Sequence, residues 1–181
     1  MSSEEREPIV ALDAILRPEG LRTLIDSKVQ LARQKLDRDG GAVLAWEAVP
    51  LDWYGDKLPS AVRSSWVFIL RAGAATGAER HPNSHQRMMS YQGAGDLQIW
   101  QDDRWHSNLL VSDPNAELEK RWVSIPRNVW HQAEVPAEYD HWVVVSFHTA
   151  PENELIEERP DPADSRFTQQ RKYAEMEEGA R

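Results

Sequence analysis

The segment "GAERHPNSHQRMMSYQGAG", residues 77–95, gathers side chains that can bind a metal around one short turn. It places Glu79, His81, His85 and Gln86 within eight positions, and a Pro-Asn-Ser turn divides them into two pairs. Residues two apart on a strand point to the same face, so Glu79 and His81 share a face. The turn lets the next strand return and brings Gln86 opposite them. The segment therefore predicts a ligand cluster between two antiparallel strands.

The composition excludes several classes of function. The chain has 181 residues, a length typical of a single domain with its own core. With 21 basic and 30 acidic side chains its formal charge is −9, which disfavours nucleic acid as a partner because phosphate backbones require basic surface. There is no cysteine, so a disulfide, a thiolate zinc site, an iron–sulfur cluster and a cysteine nucleophile are all excluded.

The sequence predicts a cytoplasmic protein that does not contact membranes. Its first residues carry acids at Glu4, Glu5 and Glu7, and Asp13 interrupts a short apolar run, unlike a signal peptide. No apolar stretch approaches the ~20 residues that a membrane-spanning helix needs.

One amphipathic helix is predicted before the β-rich part of the chain. Residues 1–16 are predicted to be a weakly ordered lead-in, and Gly40-Gly41 is a typical end for the helix. Between Glu19 and Arg38 apolar residues recur at helical spacing: Leu21, Leu24, Ile25, Val29, Ala32 and Leu36.

After the two glycines the pattern changes to short runs rich in β-branched and aromatic residues, separated by turn signals. No long helical period lies between them, so an antiparallel all-β sandwich or barrel is favoured over a βαβ fold. The predicted strands lie within residues 42–49, 64–72, 87–92, 96–100, 105–111, 121–126 and 141–149.

The chain divides by composition into three parts. Residues 1–41 form the lead-in and helix, residues 42–150 the β-barrel, and residues 151–181 an acidic C-terminal tail. The prolines and acids after Pro151 predict an extended, exposed segment. Residues 169–178, "QQRKYAEMEE", are predicted to form either a short surface helix or an unstructured tail.

A second segment, "IPRNVWHQ", supplies His131 after a Pro-Arg-Asn turn in which Asn128 suits the left-handed conformation. Here the sequence resembles the cupin family. The first cupin motif is glycine, five residues, His-x-His, three or four residues, Glu, six residues and glycine. The spacing from Gly73 to Gly93 fits it, although Glu79 stands at the first histidine position and Gln86 at the glutamate position.

The second cupin motif contains Pro-x-Gly, two residues and His. Pro126, Asn128 and His131 match it, with asparagine in place of glycine. Lys120 and Val135 replace the glycine and the asparagine that bracket this motif. The resemblance covers roughly residues 64–149 and implies a double-stranded β-helix, a jelly-roll barrel with its site in the barrel mouth.

The altered ligand set is still suited to a divalent metal. Glu79, His81 and His131 would form a two-histidine, one-carboxylate face, with Gln86 as a fourth ligand or as a hydrogen-bond donor to substrate. Such ligands suit Fe(II), Mn, Ni or Zn. The alternative is a hydrogen-bonded polar cluster inside the barrel, without metal.

Two further histidines leave alternatives open. His85 either replaces Gln86 as a ligand or lies at the strand start facing outward, where it can support a ligand by a hydrogen bond. Alternation in residues 141–149 places Trp142, Val144, Ser146 and His148 on one face, the less apolar one. On that face His148 is either a general base or a strand-end histidine bonded to backbone.

Three functions are compatible with these patterns. The first is a metal-dependent enzyme that acts on a small, oxygen-rich molecule by oxygenase chemistry or by Lewis-acid isomerase or decarboxylase chemistry. The second is a non-catalytic cupin whose tryptophans shape a small-molecule or sugar pocket. The third is a metal-free, sugar-isomerase-like enzyme with His81 or His131 as base. The resemblance also implies a homodimer, since cupins commonly pair through sheet edges, and the apolar face of the 19–38 helix covers either a partner or its own barrel.

Overall fold

Eleven strands and three α-helices follow one another along residues 3–173 and 175, the part of the chain that this computed structural model describes. Short 3-10 helices at Leu51–Lys57 and Glu152–Glu154 add to them. In chain order the elements are α1 (Ser3–Ile15), α2 (Glu19–Arg38), β1 (Leu44–Ala48), β2 (Ser64–Leu70), β3 (Gln86–Gln92), β4 (Ala94–Gln101), β5 (Arg104–His106), β6 (Leu109–Val111), α3 (Leu118–Arg121), β7 (Trp122–Ile125), β8 (His131–Glu134), β9 (Trp142–His148), β10 (Ile156–Pro160) and β11 (Thr168–Lys172).

Nine of the strands form two antiparallel sheets that face each other, and β10 and β11 form a third, two-stranded sheet. The large sheet has the order β1-β2-β9-β3-β7. In the small sheet β4 pairs with β5 and β6 along one edge and with β8 along the other. This strand order is the cupin-like double-stranded β-helix that the sequence predicts, and all seven predicted runs contain strands.

The two faces of the large sheet pack against different partners, as alternation along its strands requires. In β9, Val143, Val145 and Phe147 belong to the core shared with the helices. Trp142 and Val144 belong to the core between the two sheets. The predicted division of this strand into two faces is therefore confirmed, and the inner face belongs to the barrel interior.

Helix α2 has the bounds that the sequence predicts. Its buried residues, among them Ile25, Val29 and Leu36, pack on the outer face of the large sheet of the same chain. Of the two predicted placements of this face, the one against a partner molecule is thus wrong, because the helix covers its own barrel. None of the described helices is long and apolar enough to cross a membrane.

The predicted weakly ordered lead-in is wrong for residues 3–15, which form helix α1; residues 1 and 2 lie outside the described residues. Ile9, Leu12 and Leu16 are spaced by three and four residues and are buried in the core of the large sheet. The buried Asp13 carboxylate forms an ion pair with Arg121, which is also buried. Because many acidic residues surround the short apolar stripe of this helix, its sequence pattern does not predict an ordered helix.

The tail is extended as predicted, and residues 162–172 are mostly exposed, but the predicted exposure is wrong over residues 155–160. Strands β10 and β11 form an antiparallel C-terminal hairpin that packs on the barrel. Leu155, Glu157 and Glu158 are buried. The surface helix predicted over residues 169–178 is wrong for residues 169–172, which belong to β11; residues 174 and 176–178 lie outside the described residues.

Two glycines let β3 turn directly into β4 beneath β9. Gly93 has a φ of 77°, in the region that favours glycine, and a Cβ there would lie 2.7 Å from the carbonyl oxygen of His141. A Cβ at Gly95 would overlap the indole ring of Trp142, a residue of the cavity wall. The close approach of backbone to ring explains why glycine occupies position 95.

Replacing Gly95 by alanine is therefore expected to lower the free energy of unfolding by about 1–3 kcal/mol, because the buried indole of Trp142 must move to admit the methyl group. Urea denaturation measures this change. Gly20→Ala is the matched control, since no atom lies within 4 Å of the added Cβ and alanine favours the helix. Equal stability of Gly95→Ala and wild type would contradict the packing described.

Candidate metal centre

The two motif segments pair directly with each other at the barrel mouth. The amide of Glu79 donates to the carbonyl of His131 and the amide of His131 donates to the carbonyl of Glu79, both at 2.8 Å. The Asn128 amide donates to the His81 carbonyl at 2.9 Å. Asn128 has a φ of 65°, the left-handed conformation that the sequence predicts for this turn. This pairing brings residues about fifty positions apart into one site.

Glu79, His81 and His131 converge so that one ligand atom from each lies within 4.8 Å of the others. The Nε2 atom of His131 is 3.4 Å from Oε1 of Glu79. The rings of His81 and His131 have centroids 5.3 Å apart. Both histidines are buried, and Glu79 is partly exposed. The structure thus brings together three of the four predicted ligands in a spacing that could hold one ion.

Backbone carbonyls determine the tautomer of both histidines. Nδ1 of His81 lies 2.9 Å from the carbonyl oxygen of Ile156, and Nδ1 of His131 lies 3.1 Å from that of Val129. A carbonyl oxygen can only accept, so each Nδ1 carries the proton and each Nε2 carries a lone pair. Both Nε2 atoms are buried and have no hydrogen-bond partner within the described residues. This is the arrangement that orients metal-binding histidines.

Gln86, the fourth predicted ligand, lies at the start of β3 with its side chain buried. Its amide nitrogen donates to Oγ of Ser146 at 3.0 Å. Its oxygen Oε1 is buried and, among the described residues, has no hydrogen-bond partner. The residue lines the same cavity as Glu79 and His131. A buried acceptor atom is therefore left without a partner.

The charges at the centre are those that a cation requires. Burial raises the pKa of Glu79, but His131, which can donate to the carboxylate when its ring is protonated, and the charges of Arg159 and His81 outweigh it, and the pKa falls to about 2. Burial and the neighbouring His131 lower the pKa of His81 to about 4. At neutral pH the carboxylate is ionised and the His81 imidazole is neutral, as metal ligands must be.

The C-terminal hairpin contributes residues that sequence reasoning missed. Arg159 forms an ion pair with Glu79 through Nη2. Its Nε donates to Glu157 at 2.5 Å and its Nη1 donates to the Thr76 carbonyl at 2.6 Å. All three guanidinium nitrogens are thereby engaged. The two-residue spacing of Glu157 and Arg159 could have indicated that both face the barrel from one strand. Both residues are charged, however, and the surrounding segment has the composition of an exposed tail.

Tyr173, next after β11, closes the inner end of the hairpin. Its ring lies 5.9 Å from that of His81 and 5.3 Å from that of Trp66, between centroids. Its side chain hydrogen-bonds Glu157. Burial, followed by the charge of Glu79, raises the pKa of Glu157, while Arg159 opposes this rise. Burial and both carboxylates raise the pKa of Tyr173 well above its ordinary value.

His148 lies behind the candidate centre and does not line the cavity. Its Nε2 contacts Oγ of Ser146 at 3.0 Å and its Nδ1 contacts Oγ of Ser84 at 3.3 Å. Burial, with the nearby charges of His81 and His131, lowers the pKa of His148 well below its usual value. These contacts disfavour the predicted role of His148 as a general base. They also modify the alternative, a strand-end histidine bonded to backbone, because the partners of His148 are hydroxyl groups. His148 instead orients Ser146, which holds Gln86.

His85 faces away from the centre, the second of its two predicted placements. Its Nε2 lies 2.7 Å from Oγ of Ser124 and 3.3 Å from the Glu5 carboxylate. It therefore belongs to the contact between α1 and the outer face of the large sheet. Its role as a replacement ligand is excluded by this orientation.

The centre opens into a cavity of about 290 Å³ between the two sheets. One end is polar and contains Glu79, Gln86 and His131 together with Glu157, Arg159, Arg171 and Tyr173. The remaining wall is mainly apolar and includes Leu44, Phe68, Leu70, Leu97, Trp142 and Val144. We call these the polar end and the apolar wall. The size suits a small molecule.

No family model matches the chain, and no curated protein matches its sequence. Several solved structures are similar to it. Oxalate oxidase in complex with the substrate analogue glycolate is 17% identical, with a TM-score of 0.45 over 61% of this chain and 54% of that chain. The capsular polysaccharide assembling protein CapF from Staphylococcus aureus is 16% identical, with a TM-score of 0.45 over 66% of this chain and 28% of that chain.

KdgF from Halomonas sp. is 15% identical, with a TM-score of 0.44 over 62% of this chain and 85% of that chain. The chain thus spans about half of the oxalate oxidase and under a third of CapF. The strand order establishes the fold, and at such identities no activity passes from these proteins to this chain.

The tautomers can be observed directly. In protein treated with a chelator, long-range ¹H–¹⁵N correlation spectra at pH 6 should show His81 neutral and protonated at Nδ1, because the pKa of about 4 keeps it uncharged and the Ile156 carbonyl takes its proton. His106, half-exposed on β5, serves as the internal reference. An Nε2-protonated His81 would contradict the orientation described.

Proposed function

We propose that this chain is a metal-dependent cupin enzyme that acts on a small molecule, with Glu79, His81 and His131 holding a divalent first-row ion. One observation carries the proposal. The Nε2 atoms of both histidines and Oε1 of Gln86 are buried acceptors without a hydrogen-bond partner in the described part of the chain. Leaving three such atoms unsatisfied costs about 1–3 kcal/mol each, a cost that a shared cation would remove.

The donor set fits the proposed ion. Two imidazoles, a carboxylate and an amide oxygen suit Fe(II), Mn, Ni or Zn, and they do not distinguish among these metals. The unpartnered oxygen of Gln86 supports its role as a ligand, while its amide nitrogen, which has two N–H groups, uses one of them for Ser146. When bound, such an ion would supply Lewis-acid or oxygen-activating chemistry at the polar end.

The residues around the ligands prepare the site for a substrate. Arg159 orients the Glu79 carboxylate and offsets part of its charge, while the hairpin closes the site on one side. The apolar wall excludes water from the rest of the cavity and strengthens electrostatic interactions at the polar end. These features support an enzyme in which substrate binds beside the ion.

Two metal-free alternatives rest on the same cavity. In a non-catalytic binding protein the polar end and Trp142 would only shape the pocket. In an isomerase-like enzyme the lone pair on Nε2 of His81 or His131 would act as the base. Both alternatives predict protein without bound metal, so metal content separates them from our proposal.

Elemental analysis of protein purified without an affinity tag is expected to find about one first-row metal ion per chain. Glu79→Gln should lower metal affinity at least tenfold, since it removes the charged ligand; supporting residues alone account for about 10- to 100-fold. Glu134→Gln is the control, because Glu134 is an exposed carboxylate on β8, the strand that also carries His131.

Two outcomes would contradict the metal-dependent proposal or part of it. If wild-type protein contains no metal, and added Fe(II), Mn, Ni or Zn produces no increase in melting temperature, the metal-dependent proposal fails. Should Glu79→Gln keep full occupancy while His131→Ala loses it, only the assignment of Glu79 as a ligand is refuted.

A further inference from the structure

The two arginines at the polar end differ in their partners. Arg159 donates to two carboxylates and one carbonyl, so its charge is compensated and each of its three guanidinium nitrogens already donates. The side chain of Arg171, on β11, lines the same cavity but forms no hydrogen bond or ion pair with the other described residues. It is directly opposite Glu157 in the hairpin register. A guanidinium group is therefore available to a molecule that enters the cavity.

The position of Arg171 suits recognition at the entrance. The residue is exposed and also lines the cavity, so it lies where the cavity meets solvent. Tyr173, the residue after β11, lines the same cavity and lies beside His81. Arg171 at the solvent side and Tyr173 near the candidate centre therefore line one cavity.

The apolar wall limits which anions fit. Side chains such as Phe68, Leu97 and Val144 offer no hydrogen bonds, so a sugar would leave its hydroxyl groups without partners. A molecule with a hydrocarbon or aromatic body would instead gain from burial there. A planar carboxylate is the anion best matched to the paired donors of a guanidinium.

We propose that Arg171 is a specificity residue that binds the carboxylate of a small substrate whose apolar body lies against the apolar wall. This inference deepens the proposed function, and it rests on that proposal for the part of the substrate that reacts, which would lie at the ion. Carboxylate recognition itself, however, requires only Arg171 and the cavity, so the two proposals can fail separately.

The test compares phenylacetate with phenylacetamide, two probes of nearly the same shape that differ in charge, by isothermal titration calorimetry on the purified full chain. Wild type should bind phenylacetate about tenfold more tightly. Arg171→Gln should reduce this preference to about one. Lys172→Gln is the matched control, because it removes the same charge from the neighbouring exposed residue whose side chain lies on the other face of β11, and the preference should persist.

Three results would overturn the inference: wild type that binds both probes equally or neither, a preference that survives in Arg171→Gln, or an equal loss in Lys172→Gln. A preference that survives Arg171→Gln would place the carboxylate elsewhere, for example on the ion. The Glu79→Gln variant separates the two proposals, since it should lose metal and still prefer phenylacetate. Wild type that neither contains metal nor binds added metal, and that keeps the preference, would refute the metal centre and support the role of Arg171.

Discussion

A partly buried carboxylate beside two imidazoles is the constraint on which the candidate site depends. Glu79 lies beside His131 at the barrel mouth, where an ionised carboxylate needs a counter-charge close at hand. Arg159 supplies that charge from the C-terminal hairpin. The same hairpin holds His81 through the Ile156 carbonyl, so one element both neutralises the acid and orients a base. The barrel alone would leave the centre incomplete.

The exchange of ligand types relative to the cupin pattern has a physical explanation. Position 79 is within reach of Arg159, whereas the side chain at position 86 faces Ser146 and, behind it, His148. Without bound metal, a carboxylate at position 86 would be buried beside hydroxyl and imidazole groups with no cation in direct contact. A neutral amide is better tolerated there, and Ser146 fixes its orientation. The negative charge therefore resides at the position where the hairpin can offset it.

Sequence reasoning succeeded where apolar side chains alternate or where glycine and asparagine determine a turn. Strand β9 shows both faces in its pattern, and the motif spacing placed Glu79, His81 and His131 together before any geometry was known. It failed for α1, whose apolar stripe is short and surrounded by acids. It also failed for β10, whose inward residues Glu157 and Arg159 are charged, so the strand carries no apolar period. Burial of charges that satisfy one another leaves no hydrophobic signal in a sequence.

The polar end is electrically balanced before any ligand enters. Its two carboxylates, Glu79 and Glu157, face two guanidinium groups, Arg159 and Arg171, so their formal charges cancel when all four are ionised. A divalent ion on the proposed ligands would leave an excess of positive charge at the end of a largely apolar cavity. In such surroundings an unbalanced charge is costly, and an anionic ligand reduces it while a neutral one does not. An overall charge of −9 on the chain does not oppose this preference strongly, because exposed charges farther than about 10 Å away are screened by salt. The preference for a ligand of a given charge is therefore determined by the few residues at the polar end and not by the net charge of the protein.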